Sequence, residues 1–393
     1  MRKNSMIRGT MMNSRTNQKG AVSLFVVVFT TLLITVITIS FVRIMIRDQD
    51  QASTADLSQS AYDSAQAGVE DAKRAILRYQ SLCTTGTADE CAKAIAALNS
   101  SECNTSLEGI AVVQNNEVQV QQNVGDAALN QAYTCVKVAL KTDDYVGVLQ
   151  SDNTKVIPLK STAAFNRIKI EWYSNDDLQT SSKGKVTLQP TTGGLPLLAQ
   201  SAWSPNRPSL LRMQLMQVGS QFTLDSFDNT NAGKSNANTL FLYPSSIVGN
   251  TQKTITALDV RKTQSAANGP QAVTCSSDIS GGGYACSVEI LLPDPIGGGG
   301  RDAYLRLSAF YNKTNYRISL STDGVTASQF DGVQPSIDST GRANDLFRRV
   351  RSRVETVDAV YPSAAVDITG DFCKDFIVTD VDSDYSSNVN CKP

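Results

Sequence analysis

Histidine is missing from all 393 residues, which removes the side chain most often used for general acid-base work and for binding transition metals. Readings as a hydrolase or a Cys/His zinc protein start without their commonest residue. No serine sits in a Gly-x-Ser-x-Gly context that would expose a nucleophile. The glycine-rich run Gly297-Gly298-Gly299-Gly300-Arg301-Asp302 lacks the Gly-Lys-Ser/Thr ending that places a lysine and a hydroxyl on a nucleotide phosphate, so it reads as a loop. The chain is expected not to be an enzyme. Net charge is nearly absent too, at -1, and that value hides an asymmetry. Arg2, Lys3, Arg8, Arg15 and Lys19 precede Gly20 with no acid among them; the 36 basic residues less these five leave 31 against 37 acidic, a net -6. A mildly acidic bulk gives no general reason to expect nucleic acid, which is bound mainly by clustered cations.

Charge, glycine and proline are all lacking from Ala21 to Val42 (AVSLFVVVFTTLLITVITISFV), and no proline occurs as far as Gln80. At about 1.5 Å per residue these 22 positions span roughly 33 Å, enough to cross a bilayer core as a helix. Thr30, Thr31, Thr35 and Thr38 can return their hydroxyls to carbonyls one turn back and so remain satisfied in lipid. The five basic residues before the segment outnumber Arg43 and Arg47 after it, so the leader is expected to stay cytoplasmic and the rest to be exported. The apolar run ends at Phe41-Val42-Arg43 without a small-residue cleavage site, which favours a retained anchor over a removed signal peptide.

Beyond the membrane, Tyr62, Ala65, Val69, Ala72, Ile76, Tyr79 and Cys83 recur in alternating steps of three and four, the stripe of an amphipathic helix. Glu70 and Arg74 are at a helix-supporting spacing. One helix over 21–82 is predicted, half spanning (21–42) and half packed on a head. The eight cysteines all lie after the apolar run, and an even count on the exported side fits disulfides. Proximity pairs Cys83 with Cys91, Cys103 with Cys135, Cys275 with Cys286, and Cys373 with Cys391.

Two segments carry a family resemblance. Gln18-Lys19-Gly20 followed by Ala21-Val22-Ser23-Leu24-Phe25 resembles a class III, prepilin-type signal, which implies cleavage between Gly20 and Ala21 by a prepilin peptidase. Ala65-Gln66-Ala67-Gly68-Val69-Glu70-Asp71-Ala72 resembles the A-x-A-G-x-E-x-A segment of PilX-like minor pilins and of the largest minor pseudopilins of type II secretion systems. The resemblance covers roughly residues 15–83. It implies that the leader is 1–20, that Phe25, Val28, Leu32 and Val36 face sister subunits in a filament core, and that the subunit resides in the inner or cytoplasmic membrane before assembly. Most major pilins carry Glu at the fifth position of the mature chain, where this sequence has Phe25. A subunit without that acid is expected to be minor and tip-proximal, because a buried charge left without its partner is costly throughout a homopolymer.

The remainder reads as β-rich, giving an α+β class. At 393 residues one core is not expected to cover the whole chain. A first head region (83–180) has a helical run at Ala92–Leu98 and alternating strands at Tyr133–Leu140 and Phe165–Trp172, with Ile168, Ile170 and Trp172 inward. Ser181 to Gly194 is a candidate boundary. A second module (195–340) has strand signals at 211–218, 239–243, 254–260, 286–292, 304–310 and 316–320, the spacing of a sandwich or jelly roll. Ser280-Gly281-Gly282-Gly283 reads as a hairpin tip closed by Cys275 and Cys286, and Asn312-Lys313-Thr314 as a turn. The last segment (341–393) ends in a tail bracketed by Cys373 and Cys391.

Three segments invite a ligand reading. Asp380, Asp382 and Asp384 alternate like the first ligands of a calcium loop, but Tyr385 stands where the loop needs Gly and Cys391 where it needs Glu, so a solvated acidic loop is favoured and no cofactor is expected. Asp225-Ser226-Phe227-Asp228-Asn229 is read the same way. Arg342, Arg348, Arg349, Arg351 and Arg353 surround Phe347, as in a DNA-binding patch, yet Arg349-Val350-Arg351-Ser352-Arg353-Val354 also fits a strand with one solvated charged face, which is favoured. The function expected is therefore a filament subunit acting in assembly priming or in attachment to a host cell, surface or glycan. A monomeric membrane-anchored adhesin or carbohydrate-binding protein and a DNA-binding competence-type pilin are the alternatives.

Overall fold

The computed structural model describes residues 19–120, 130–151, 153–189, 198–218, 237–246, 254–256, 270–297 and 302–356, with backbone alone at 19–22, 216–218, 237, 238, 254–256, 293, 294 and 302. Cys373, Cys391, the Asp380–Asp384 group and the Asp225–Asn229 loop lie outside these residues. The chain is α+β: one helix, α1 (Lys19–Thr85), precedes a β-rich remainder. Contacts divide it into two units, one formed by 1–68, 113–135 and 339–350, the other by 69–112, 136–338 and 351–393.

The second unit holds the main core, built by two sheets. One has the order β13 (Ala327–Ser328), β12 (Thr314–Ser321), β5 (Phe165–Ser174), β10 (Tyr284–Ile296), β8 (Thr254–Thr256), with β3 (Asp144–Leu149) also on β12. The other runs β4 (Thr154–Pro158), β11 (Asp302–Phe310), β6 (Leu210–Val218), β7 (Ala237–Ser245), β9 (Gln271–Thr274). Register places Ile318, Ile170 and Val288 in one row across the first sheet and Ile157, Leu305 and Leu215 in one row across the second. Rows of branched apolar side chains at cross-strand spacing are what fixes register when one face is buried. All six are at most 1% exposed and belong to a single cluster with Trp172, Phe165 and Leu242. The expected inward residues Ile168, Ile170 and Trp172 are fully buried. On the opposite face of β5, Glu171 meets Arg317 Nη2 at 2.6 Å and Lys169 Nζ at 2.9 Å.

This pairing corrects the expected boundary at 181–194. β4 and β5, from the first head region, pair with β11, β12 and β10 from the second, so the two regions share both sheets and one core. Asn312 and Lys313 do form a turn, but it carries the chain from β11 in one sheet to β12 in the other.

Cys275 and Cys286 are bonded as expected, across an isolated antiparallel bridge that joins the end of β9 to β10. The link therefore ties one sheet to the other. Gly282 and Gly283 in the intervening loop have φ of 91° and 85°, a region that side chains with a Cβ rarely adopt. Closing a loop with a sequence separation of 11 stabilises by about 2–3 kcal/mol through the unfolded state. Replacing both cysteines by alanine is expected to lower the unfolding free energy by about that amount in urea titration, with the fold retained. An unchanged midpoint would show that the link adds nothing to the sheet packing.

Candidate membrane-anchoring and packing helix

α1 has 67 residues and spans about 100 Å at the ordinary rise. No proline interrupts it. Its apolar residues from Leu24 to Ile46 are between 46% and 72% exposed, including Phe25 at 69%, Val28 at 52%, Leu32 at 61% and Val36 at 55%. Among the described residues nothing covers this surface, and the helix is long and apolar enough to cross a membrane. The threonine hydroxyls do what the sequence predicts: Thr30 donates to the Val26 carbonyl at 2.6 Å, Thr35 to Thr31 at 2.7 Å and Thr38 to Ile34 at 2.8 Å. Ser40 adds a bond to Val36 at 2.8 Å. The threonine hydroxyls from Thr30 to Thr38 and that of Ser40 are thereby satisfied internally, the condition for residing in lipid. Gly20 and Ala21 lie in the first turns of the helix, described by backbone alone.

Farther along, the helix changes from apolar and exposed to small and buried. In the first unit Ala61, Ser64 and Ala65 are 0% exposed. The strand facing them carries residues just as small. β14 (Phe330–Ala343) alternates burial along Ser339, Gly341 and Ala343, all buried. A Cβ at Gly341 would lie 2.2 Å from the Ala61 carbonyl oxygen and 2.2 Å from the Ala65 nitrogen. Helix backbone and strand backbone are in contact there, a distance only glycine permits. Arg348 on β15 (Leu346–Arg353) reaches Ser58 Oγ at 2.8 Å in the same unit.

In the second unit Val69, Ala72 and Ile76 are buried as expected, and Tyr79 is partly so. Burial raises the Tyr79 hydroxyl above its ordinary pKa, with Asp331 adding to the shift. Tyr62 departs from the predicted stripe. It is 43% exposed and accepts a hydrogen bond from Gln66 Nε2, because Ala61 rather than Tyr62 occupies the inward position. The Glu70–Arg74 contact is replaced by two pairs at i,i+3, Glu70 with Lys73 at 2.7 Å and Asp71 with Arg74 at 2.9 Å.

The helix ends at a disulfide. Cys83 bonds Cys91 on α2 (Ala88–Leu98), while Cys103 and Cys135 are both disulfide-bonded as well. α2 starts four residues before the expected run because Thr87 and Glu90 form a reciprocal capping box, with Thr87 N–H donating to Glu90 Oε2 at 2.9 Å. Arg78 donates to the Glu108 carbonyl at 3.0 Å. A cleft of about 830 Å³ lies beside Arg78, Tyr79, Lys93 and Ile110.

No family model, curated protein or solved structure matches the chain. The functional reading rests on the chain's own residues. Among the described residues no group of three or more His, Cys, Asp or Glu could hold a metal ion. The arginine cluster is largely spent inside the chain. Arg342 clamps Glu117 (Nη2 to Oε2, 2.5 Å), Arg353 pairs with Asp144 at 2.7 Å, Arg351 meets Asp338 at 3.5 Å, and Arg348 holds Ser58. Phe347 remains exposed at 54%.

Two functional features escaped the sequence reading. Ser339-Thr340-Gly341 gives no hydrophobic signal, since close backbone approach selects small residues instead of apolar ones. The Thr87-x-x-Glu90 spacing is itself a sequence-level helix start, and it places the beginning of α2 where the apolar run alone does not.

Proposed function

We propose that this chain is a non-enzymatic, minor, tip-proximal subunit of a type IV pilus-like or type II secretion-like filament, acting in assembly priming or surface attachment. The observation that carries the reading is a single unbroken helix of two characters. Its first half exposes apolar side chains on every face from Leu24 to Ile46, and between Ala61 and Ile76 it buries one face made mainly of small residues, Ala61, Ser64, Ala65, Val69 and Ala72 among them. An all-round apolar surface needs lipid or other apolar helices to cover it. The buried half supplies the firm grip a head needs if that helix is to exchange one for the other.

The Gln18-Lys19-Gly20 junction supports removal of the leader on the cytoplasmic side, and Phe25 in place of an acid supports a position without a neighbour above it. In this reading the β-rich region is exported and its disulfides form there. The two sheets over one core favour a sandwich module. Parallel pairing of β7 with β9 and of β8 with β10 departs from the antiparallel strands of a jelly roll. The ion pairs made by Arg342, Arg351 and Arg353 favour a structural role for that cluster over DNA binding.

Gly20→Leu places a bulky side chain at the proposed cut. The variant is expected to accumulate in the membrane fraction with its leader attached and to vanish from sheared filaments collected by centrifugation. Wild-type amounts of Gly20→Leu in the sheared fraction would contradict the assignment. If the wild-type chain stays in the membrane when filaments are sheared away, the solitary anchored adhesin becomes the better reading.

A further inference from the structure

In the second unit, Arg207 is buried to 2% exposure, and no carboxylate pairs with it among the described residues. Its Nε–H has no acceptor among the described residues. The guanidinium carbon instead sits 4.6 Å above the ring of Trp203, whose own Nε1–H is likewise buried without an acceptor. Trp203 stacks on Tyr311 at 4.1 Å with 5° between planes and meets Tyr243 edge-on at 5.9 Å. Burial lowers the Arg207 pKa from its ordinary value, opposed by Tyr243.

The segment holding these donors is fixed from three sides. Asn312 Nδ2 donates to the Ser204 carbonyl at 2.9 Å and to the Arg207 carbonyl at 2.8 Å. Tyr173 Oη donates to the Pro205 carbonyl at 2.9 Å, and Tyr311 Oη to the Leu198 carbonyl at 2.9 Å. A cation removed from water, with the face of one indole against it and no acid beside it among the described residues, is a costly arrangement to build so rigidly. Elsewhere in this unit Arg167 pairs with Glu289, Arg317 with Glu171, Arg351 with Asp338 and Arg353 with Asp144.

We propose that Arg207, with the Trp203 indole N–H beside it, is the recognition point of a ligand site for a small oxyanion, either a carboxylate or a phosphate group. The planar guanidinium fork matches two oxygens of such a group, and the low dielectric around it strengthens the pair. Trp203 covers one face of the guanidinium and is itself held in place by Tyr311 and Tyr243. The site is separate from α1, and the proposal stands independently of the filament reading.

The test is thermal unfolding and tryptophan fluorescence of the full chain in detergent, at constant ionic strength, titrated with sodium acetate or sodium phosphate against sodium chloride. Wild type is expected to gain about 2–4 °C, saturably, from at least one oxyanion, with a matching fluorescence change. Arg207→Met, which keeps an unbranched apolar stem without the charge, is expected to lose that gain while unfolding at an equal or higher temperature in chloride. Arg207→Lys keeps the charge without the fork and is expected to retain a weakened response. Response to acetate alone assigns a carboxylate ligand, and response to phosphate alone assigns a phosphate. No saturable response in wild type overturns the proposal, and so does an equal response in Arg207→Met, which would be a general salt effect.

Discussion

Gly341→Val is expected to lower the melting temperature of the protein by roughly 6–12 °C, corresponding to about 3 kcal/mol or more, at the top of the ordinary range for overpacking. The size follows from what the new side chain meets. Its Cβ alone would fall 2.2 Å from both the Ala61 oxygen and the Ala65 nitrogen, and these are helix backbone atoms. A flexible side chain could rotate away; a backbone hydrogen-bonded in the middle of α1 cannot. The helix must therefore lift from β14 at this point, uncovering Ala61, Ser64 and Ala65, which are 0% exposed. Amide exchange at residues 58–66 is expected to accelerate in step with the loss of stability. Even Gly341→Ala introduces the offending atom and should follow the same direction. A valine variant with wild-type melting and unchanged exchange would mean that helix and strand are not in backbone contact.

Trp172→Ala is expected to cost about 3–5 kcal/mol, read as a fall in the urea midpoint with the slope unchanged. Trp172 is fully buried near the C-terminal end of β5, in register with Cys286 on one side and Tyr316 on the other. Its indole N–H donates to the Ser209 carbonyl at 3.1 Å, and Ser209 directly precedes β6 of the opposite sheet. Removing the ring opens a cavity between the sheets and leaves that carbonyl without its donor, two losses that add. Trp172→Phe keeps most of the volume and loses only the donor, so its cost should be near 1–2 kcal/mol. If alanine at 172 costs less than about 1 kcal/mol, the two sheets do not share the core described for them.

The N-terminal helix was legible because its signals are local. An apolar run without charge and a stripe in steps of three and four need no knowledge of partners. Strands such as Phe165–Ser174 and Thr314–Ser321 were legible for the same reason, since Ile168, Ile170, Trp172, Ile318 and Leu320 alternate with polar residues. Their pairing was not. β5 finds β10 and β12 more than a hundred residues away, and nothing in the local pattern records that register, so a polar stretch at 181–194 passed for a boundary it is not. β14 hid for a different reason. It carries Gly332, Pro335 and Gly341, residues that argue against a strand, and its buried positions 339, 341 and 343 are Ser, Gly and Ala. Tyr62 was misplaced by one residue because a tyrosine outweighs an alanine in any reading of hydrophobicity, although Ala61 is the residue small enough to fit beneath the strand. Arg207 could not be singled out among the arginines from sequence, because only the fold reveals that it is buried without an acid beside it among the described residues.

The central claim is that one apolar helix is trimmed at its inner end and retained. Mass spectrometry of the intact protein purified from its native cell tests this directly. The account predicts a chain beginning at Ala21, so that Phe25 becomes its fifth residue. A chain that keeps residues 1–20, or one that begins beyond Val42, would contradict it.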